Sequence, residues 1–317
     1  MKRLIASTVV AATFAVSQPA FAAEPTTLVP ADASFTITLN PSKLMQSRLG
    51  QTILDRVRQD EPNVDVMLDE LSETVGIDLR TALGQTTLYG TGYQRGDFAL
   101  VSDIGPTSGN INGLLLTAPG YQSSVYREKV IVHSLPTEEQ PGQPNRIYCA
   151  MPKTPGTDSF YLVASFDPQR TRDMIDQTLD TNARLTADDP DEGTLLKAWF
   201  TRLPELAQIS HADGPPSAVA NLVQQASLSL KDEGDSVAGD LTLTMSDSVR
   251  AQQVFELMRG GLAMLQLAAT ADPNAQPLAE LGNMFSIQHD PDGADVTAGF
   301  NCSYDRLEQL LETLDDM

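Results

Sequence analysis

The sequence predicts an α+β protein whose antiparallel sheets are built from repeated ββα units, with helices packed on one face and two related halves. Three observations predict this. Short stretches of alternating apolar and polar residues recur in adjacent pairs, with Gly, Pro or Asp turn chemistry between the partners. Each pair then runs into a segment of helical spacing, with Ser or Asp at the junction. The 317 residues are 41% apolar, enough for a packed core and sized for one large domain or two medium ones.

In chain order, Met1-Lys2-Arg3, an uncharged and mostly apolar run over 4–16, and Ala20-Phe21-Ala22 predict a secretory signal over 1–22. The body divides into an N-terminal α+β domain over 24–192 and a C-terminal one over 193–317. After a Pro-rich lead-in, Phe35, Ile37 and Leu39 alternate with Thr36 and Thr38, the pattern of a half-buried strand. Asn40-Pro41 supplies a cap and an N1 proline for a helix carrying Leu44, Met45, Leu49, Ile53, Leu54 and Val57. A second helix carries Val64, Met67, Leu68, Leu71 and Val75, closed by Gly76, and the Pro62-Asn63 break makes the two a helical hairpin.

Four hairpin-helix units follow. The first pairs 86–89 with 98–102 and leads to a weaker helical patch over 111–118. The second pairs 146–151 with 159–165, and Asp167-Pro168 opens a helix with Met174, Ile175 and Leu179. The third pairs 226–231 with 237–245, and Ser246-Asp247 opens a long helix with Val254, Phe255, Leu257 and Met258, in which Gly260-Gly261 marks a kink or close contact. The fourth pairs 284–289 with 294–302, and Ser303 caps a helix with Leu307, Leu310, Leu311 and Leu314. Short side-chain oxygens at these junctions accept from the first, otherwise unpartnered helical N–H groups. One extra strand is expected between Tyr126 and Leu135, a helical patch over 195–200 around Trp199, and an acidic turn over 188–193 near the join of the halves.

Charge excludes one class of partner. Asp plus Glu number 42 against 21 Lys plus Arg, a net charge of -21, and only six residues are lysine, so nucleic acid would be repelled. Removing the signal leaves 19 basic against 42 acidic side chains, a charge of -23. No second apolar stretch is long enough to span a membrane.

Catalytic signatures are missing: there is no phosphate loop, H-E-x-x-H, G-x-S-x-G, C-x-x-C or S-x-x-K motif. Gly90-Thr91-Gly92 with Gly96 has the wrong spacing for a dinucleotide loop and reads as a hairpin turn. His133, His211 and His289 fall at no ligand spacing and read as a strand, a loop and a strand-end residue. Asp290-Pro291-Asp292-Gly293-Ala294-Asp295 resembles a fragment of a calcium loop, but Asn301 stands where such a loop needs its last glutamate, and a hairpin turn explains the same residues. Cys149 and Cys302 each share the apolar parity of a strand and are expected as separate buried thiols, a bridge being the alternative in an oxidising compartment. No catalytic, cofactor-binding or metal-ligating residue is assigned, and no cofactor is expected.

The Leu28-Val29-Pro30-Ala31-Asp32-Ala33 opening, the 44–57 helix, the Val75-Gly76-Ile77-Asp78-Leu79 step and the 223–245 hairpin before a Gly-Gly-interrupted helix resemble uncharacterised secreted proteins of planctomycete-like bacteria. That resemblance implies export and an α+β fold and transfers no activity. The expectation is a periplasmic or secreted, non-enzymatic binding or structural protein of the cell envelope, its partner an unidentified envelope protein or ligand. The alternatives are a lipid or hydrophobic-ligand carrier, or a hydrolase assembled from scattered Asp, Ser and His.

Overall fold

A computed structural model describes residues 28–75, 78–105, 111–116, 118–137, 144–180, 193–201, 203, 221–271 and 282–315. The signal segment, His211 and most of the acidic run over 188–193 lie outside them. The strands are β1 (Phe35–Leu39), β2 (Leu83–Gly90), β3 (Phe98–Ile104), β4 (Gln122–Tyr126), β5 (Val130–Pro136), β6 (Arg146–Ala150), β7 (Phe160–Ser165), β8 (Thr194–Thr201), β9 (Val223–Asp232), β10 (Ser236–Met245), β11 (Phe285–His289) and β12 (Asp295–Ser303). All twelve form one sheet in the order β11-β12-β10-β9-β8-β1-β2-β3-β7-β6-β5-β4, and every pairing is antiparallel.

The four sequence-derived hairpins are β2–β3, β6–β7, β9–β10 and β11–β12. One expectation is corrected. The 195–200 patch is not helical: β8 occupies it, and the register shift between Thr194 and Leu196 explains why its neighbouring Leu195 and Leu196 fail to alternate. The strand expected between Tyr126 and Leu135 is β5, and β4 precedes it as its hairpin partner across a turn at Arg127 and Glu128, whose φ values are +49° and +62°.

The described helices are α1 (Pro41–Gln46), α2 (Arg48–Asp60), α3 (Val64–Val75), α4 (Leu79–Ala82), α5 (Ile111–Leu116), α6 (Pro168–Thr178), α7 (Ser248–Ala271) and α8 (Tyr304–Asp315). Their starts are chemically marked. Asn40 Oδ1 accepts from Lys43 N at 2.9 Å before α1, and Asp167 Oδ1 from Gln169 N at 2.8 Å before α6. Between α1 and α2, Ser47 Oγ accepts from Gly50 N at 3.0 Å, and the chain turns so tightly that a Cβ on Gly50 would lie 1.7 Å from the Leu44 carbonyl oxygen. Gly260-Gly261 does not mark a close contact: α7 continues as helix through both, and among the described residues a Cβ at either would meet nothing within 4 Å.

The expectation of helices on one face only is also corrected. Directly opposed residues in an antiparallel pair share a face, so the register defines two surfaces across the sheet. Met174 and Ile175 of α6 pack with Tyr89, Ala99, Val101, Val163 and Ala150 on one of them. On the other, Ala251 and Val254 of α7 pack with Met245 and Val296, and Tyr304 of α8 packs with Leu49 of α2, Val237 and Cys302. Each fully buried aliphatic side chain here contributes roughly 1.5–3 kcal/mol. The reason for the split is in the strands: Ala99, Val101, Val163 and Val132 give the N-terminal strands a second apolar face, whereas Ser227, Ser229, Asp240 and Thr242 occupy that face farther along.

Candidate functional site

The pairing register lines up one row of side chains across ten strands. Ile287, Ala298, Leu241, Leu228, Ala198, Ile37, Leu88, Leu100, Ala164 and Cys149 are successive direct partners, all on the face that carries α7 and α8. Every member is apolar. Period-two alternation in each strand produces this: in β1 Phe35, Ile37 and Leu39 share that face while Thr36 and Thr38 take the other.

Cover over the row is uneven. Its β11–β12 end lies under α7, whereas Leu228 is 37% exposed and Leu241, Ile37, Leu88 and Leu100 are only half-buried. The centre of the sheet therefore presents an apolar surface that is partly open at Leu228, Ile37, Leu88 and Leu100 and closed at Ala198 between them.

The same surface is uncharged at its centre. On β8, β1, β2 and β3 this face carries no charged side chain. Its hydroxyls, Thr86 and Ser102, bond one another at 2.7 Å, so they are already satisfied. At the Phe35 end an aromatic corner closes the tract: Phe35 stacks on Tyr93 at 5.6 Å and on Phe200 at 6.3 Å, and meets Phe98 edge-on at 5.2 Å. Gly90 opposite makes room, because a Cβ there would lie 2.4 Å from the Phe35 ring.

The residues singled out for chemistry come together nowhere among the described residues. His133 is buried in β5, its Nδ1 bonded to Tyr121 Oη at 2.9 Å, and burial pushes its pKa below the usual histidine value, which favours the neutral ring. His289 lies in β11 at the opposite end of the sheet, with Nδ1 3.0 Å from the Asp295 carbonyl oxygen and its ring 5.7 Å from Phe255. His211 is outside the described residues. The Asp290 carboxylate serves its own turn: Oδ1 accepts from Asp292 N at 3.1 Å, and the Asp290 carbonyl accepts from Gly293 N at 2.9 Å. No group of three or more His, Cys, Asp or Glu fit to hold a metal occurs among the described residues. Cys149 and Cys302 are free, buried thiols in β6 and β12, and burial pushes Cys149 up to about 11.

The apolar row escaped the sequence reading. Each strand's alternation was visible, but which strands lie side by side was not, and only the register reveals that ten apolar positions are collinear.

Comparisons with known proteins add the following. No family model and no curated protein matches the chain. Among solved structures, crystal form I of TP0453, a protein of the spirochete Treponema, is 12% identical at a TM-score of 0.45, covering 90% of this chain and 96% of that one. Crystal form IV is 12% identical at 0.47 with 90% and 94% covered, and form III 11% identical at 0.45 with 90% and 96% covered. Likeness at that level carries no inference about ligand or activity. Among the described residues no helix is long and apolar enough to cross a membrane.

Proposed function

We propose that this is an exported, non-catalytic carrier that holds an elongated apolar ligand, such as an acyl chain, against the centre of its sheet. The observation that carries the reading is the collinear apolar row from Ile287 to Cys149 with its half-open centre at Leu228, Ile37, Leu88 and Leu100. A surface with no charge and no spare hydroxyl offers a ligand only dispersion and desolvation, which selects for hydrocarbon. The signal pattern over 1–22 supports a periplasmic or secreted setting, where an acidic, water-exposed body keeps an insoluble cargo dispersed. We also read the two arms of the sheet as diverged copies. Outward from β1 the order is β2, β3, β7, β6, and outward from β8 it is β9, β10, β12, β11, with β4–β5 an addition to the first arm.

The test is titration with a fluorescent fatty acid, against the wild type and Leu100→Arg. Saturable binding weakened at least about tenfold by the arginine is expected, since burying an unpaired guanidinium against hydrocarbon costs well over 1.4 kcal/mol. Equal binding by both proteins, or none by the wild type, overturns the reading.

A further inference from the structure

We propose that a second copy of this chain pairs with the free edge of β4, joining two sheets into one through antiparallel β4–β4 contact about Ser124. Among the described residues β4 is the terminal strand of the sheet, so one row of its backbone N–H and C=O groups faces outward. Its sequence, Gln122-Ser123-Ser124-Val125-Tyr126, contains no charge, no proline and no glycine, the devices that normally blunt an edge. Four of the five residues are exposed, and Val125, 68% exposed, stands opposite Ile131, 42% exposed, so an apolar pair borders the bare edge.

The edge is held ready for pairing. Tyr126 Oη donates to Asp176 Oδ2 at 3.0 Å, and Arg127 Nη2 donates to the same oxygen at 2.7 Å, which ties the β4–β5 tip to α6. An ordered strand loses little entropy when a partner strand joins it.

Charge selects both the edge and the occupant. Two mature chains of net charge -23 repel unless they meet where acid is scarce. Over residues 118–137 the only charged side chains are Arg127, Glu128 and Lys129, which leaves that stretch one unit positive. The other edge strand, β11, is bordered by Asp290, Asp292 and Asp295, so two copies meeting there would bring their carboxylates together. Pairing about Ser124 sets Ser123 against Val125 and Gln122 against Tyr126, with no like charges opposed. A five-residue contact is smaller than a standard interface, so association is weak and concentration-dependent.

The experiment combines sedimentation with cross-linking on the full mature chain. The wild type should show a monomer–dimer equilibrium that Val125→Lys shifts at least about tenfold toward monomer, by placing two cations diagonally across the short contact. Ser124→Cys should give a disulfide-linked dimer under mild oxidation, because residues facing across the two-fold lie within disulfide reach, while Ser286→Cys on β11 should not. A wild type that remains monomeric at its highest soluble concentration overturns the proposal. So does a dimer that cross-links through Ser286→Cys in preference to Ser124→Cys, or one untouched by Val125→Lys; unchanged melting temperatures of the variants exclude unfolding as the cause.

Discussion

Ile37 of β1 stands directly opposite Ala198 of β8, and this pair joins the two arms of the sheet. Ala198 is 3% exposed, so there is no room at the seam for a larger or charged side chain. Ala198→Glu should cost at least about 3 kcal/mol, the scale of an uncompensated buried charge. Because the ladder is continuous from one arm to the other, calorimetry of the wild type should give a single unfolding transition. Two well-separated transitions would mean that the seam transmits no cooperativity.

Two glycines predict opposite outcomes for the same substitution. Gly50→Ala places a methyl 1.7 Å from the Leu44 carbonyl oxygen, so the α1–α2 turn must open and the melting temperature must fall sharply. Gly261→Ala meets open space inside an uninterrupted helix and should stabilise by up to about 1 kcal/mol through helix propensity. Thermal melts of the two variants settle the comparison, and a destabilising Gly261→Ala would reinstate the close-contact role.

Asp103 predicts a pH dependence. Burial raises its pKa above the usual carboxylate value in the folded protein, with Gly84 facing its carboxylate. A folded-state pKa above the unfolded one favours folding only below the unfolded value, and the benefit is lost as pH rises through the folded value. At neutral pH the charged Asp103 therefore opposes folding. Asp103→Asn should raise the melting temperature at pH 7, with the gain shrinking as the pH falls toward about 4. An unchanged difference between the two pH values would assign the effect to something other than ionisation.

The thiols give a direct check on both halves of the core. Cys149 and Cys302 are buried and unbridged, and at about 11 the Cys149 thiol is roughly a thousandth ionised at pH 8. A disulfide-exchange reagent should react slowly with the native protein and release two equivalents in denaturant. A value of zero in denaturant would mean a bridge.

Local signals in the sequence were enough for the four hairpins, because turn residues such as Asp290-Pro291-Asp292-Gly293 separate clearly alternating strands. The cap at Asn40-Pro41 was legible for the same reason. What failed was non-local. The bulge between Thr194 and Leu196 removed the alternation that would have marked β8, and nothing near Phe35 announces that its neighbour is Phe200. The packing face of α6 depends on Val101 and Val163 lying side by side, a consequence of β3 pairing with β7 and not with β4. The candidate site is legible only to that second kind of information, since its residues come one or two from each strand.

The most direct measurement is mass spectrometry of an organic extract of the mature protein, purified from its own envelope without detergent. A carrier built on the Ile287-to-Cys149 row should yield one lipid class in near-stoichiometric amount, and Leu100→Arg prepared in parallel should yield little of it. An extract free of lipid from folded wild type, or equal lipid from both proteins, would contradict the account.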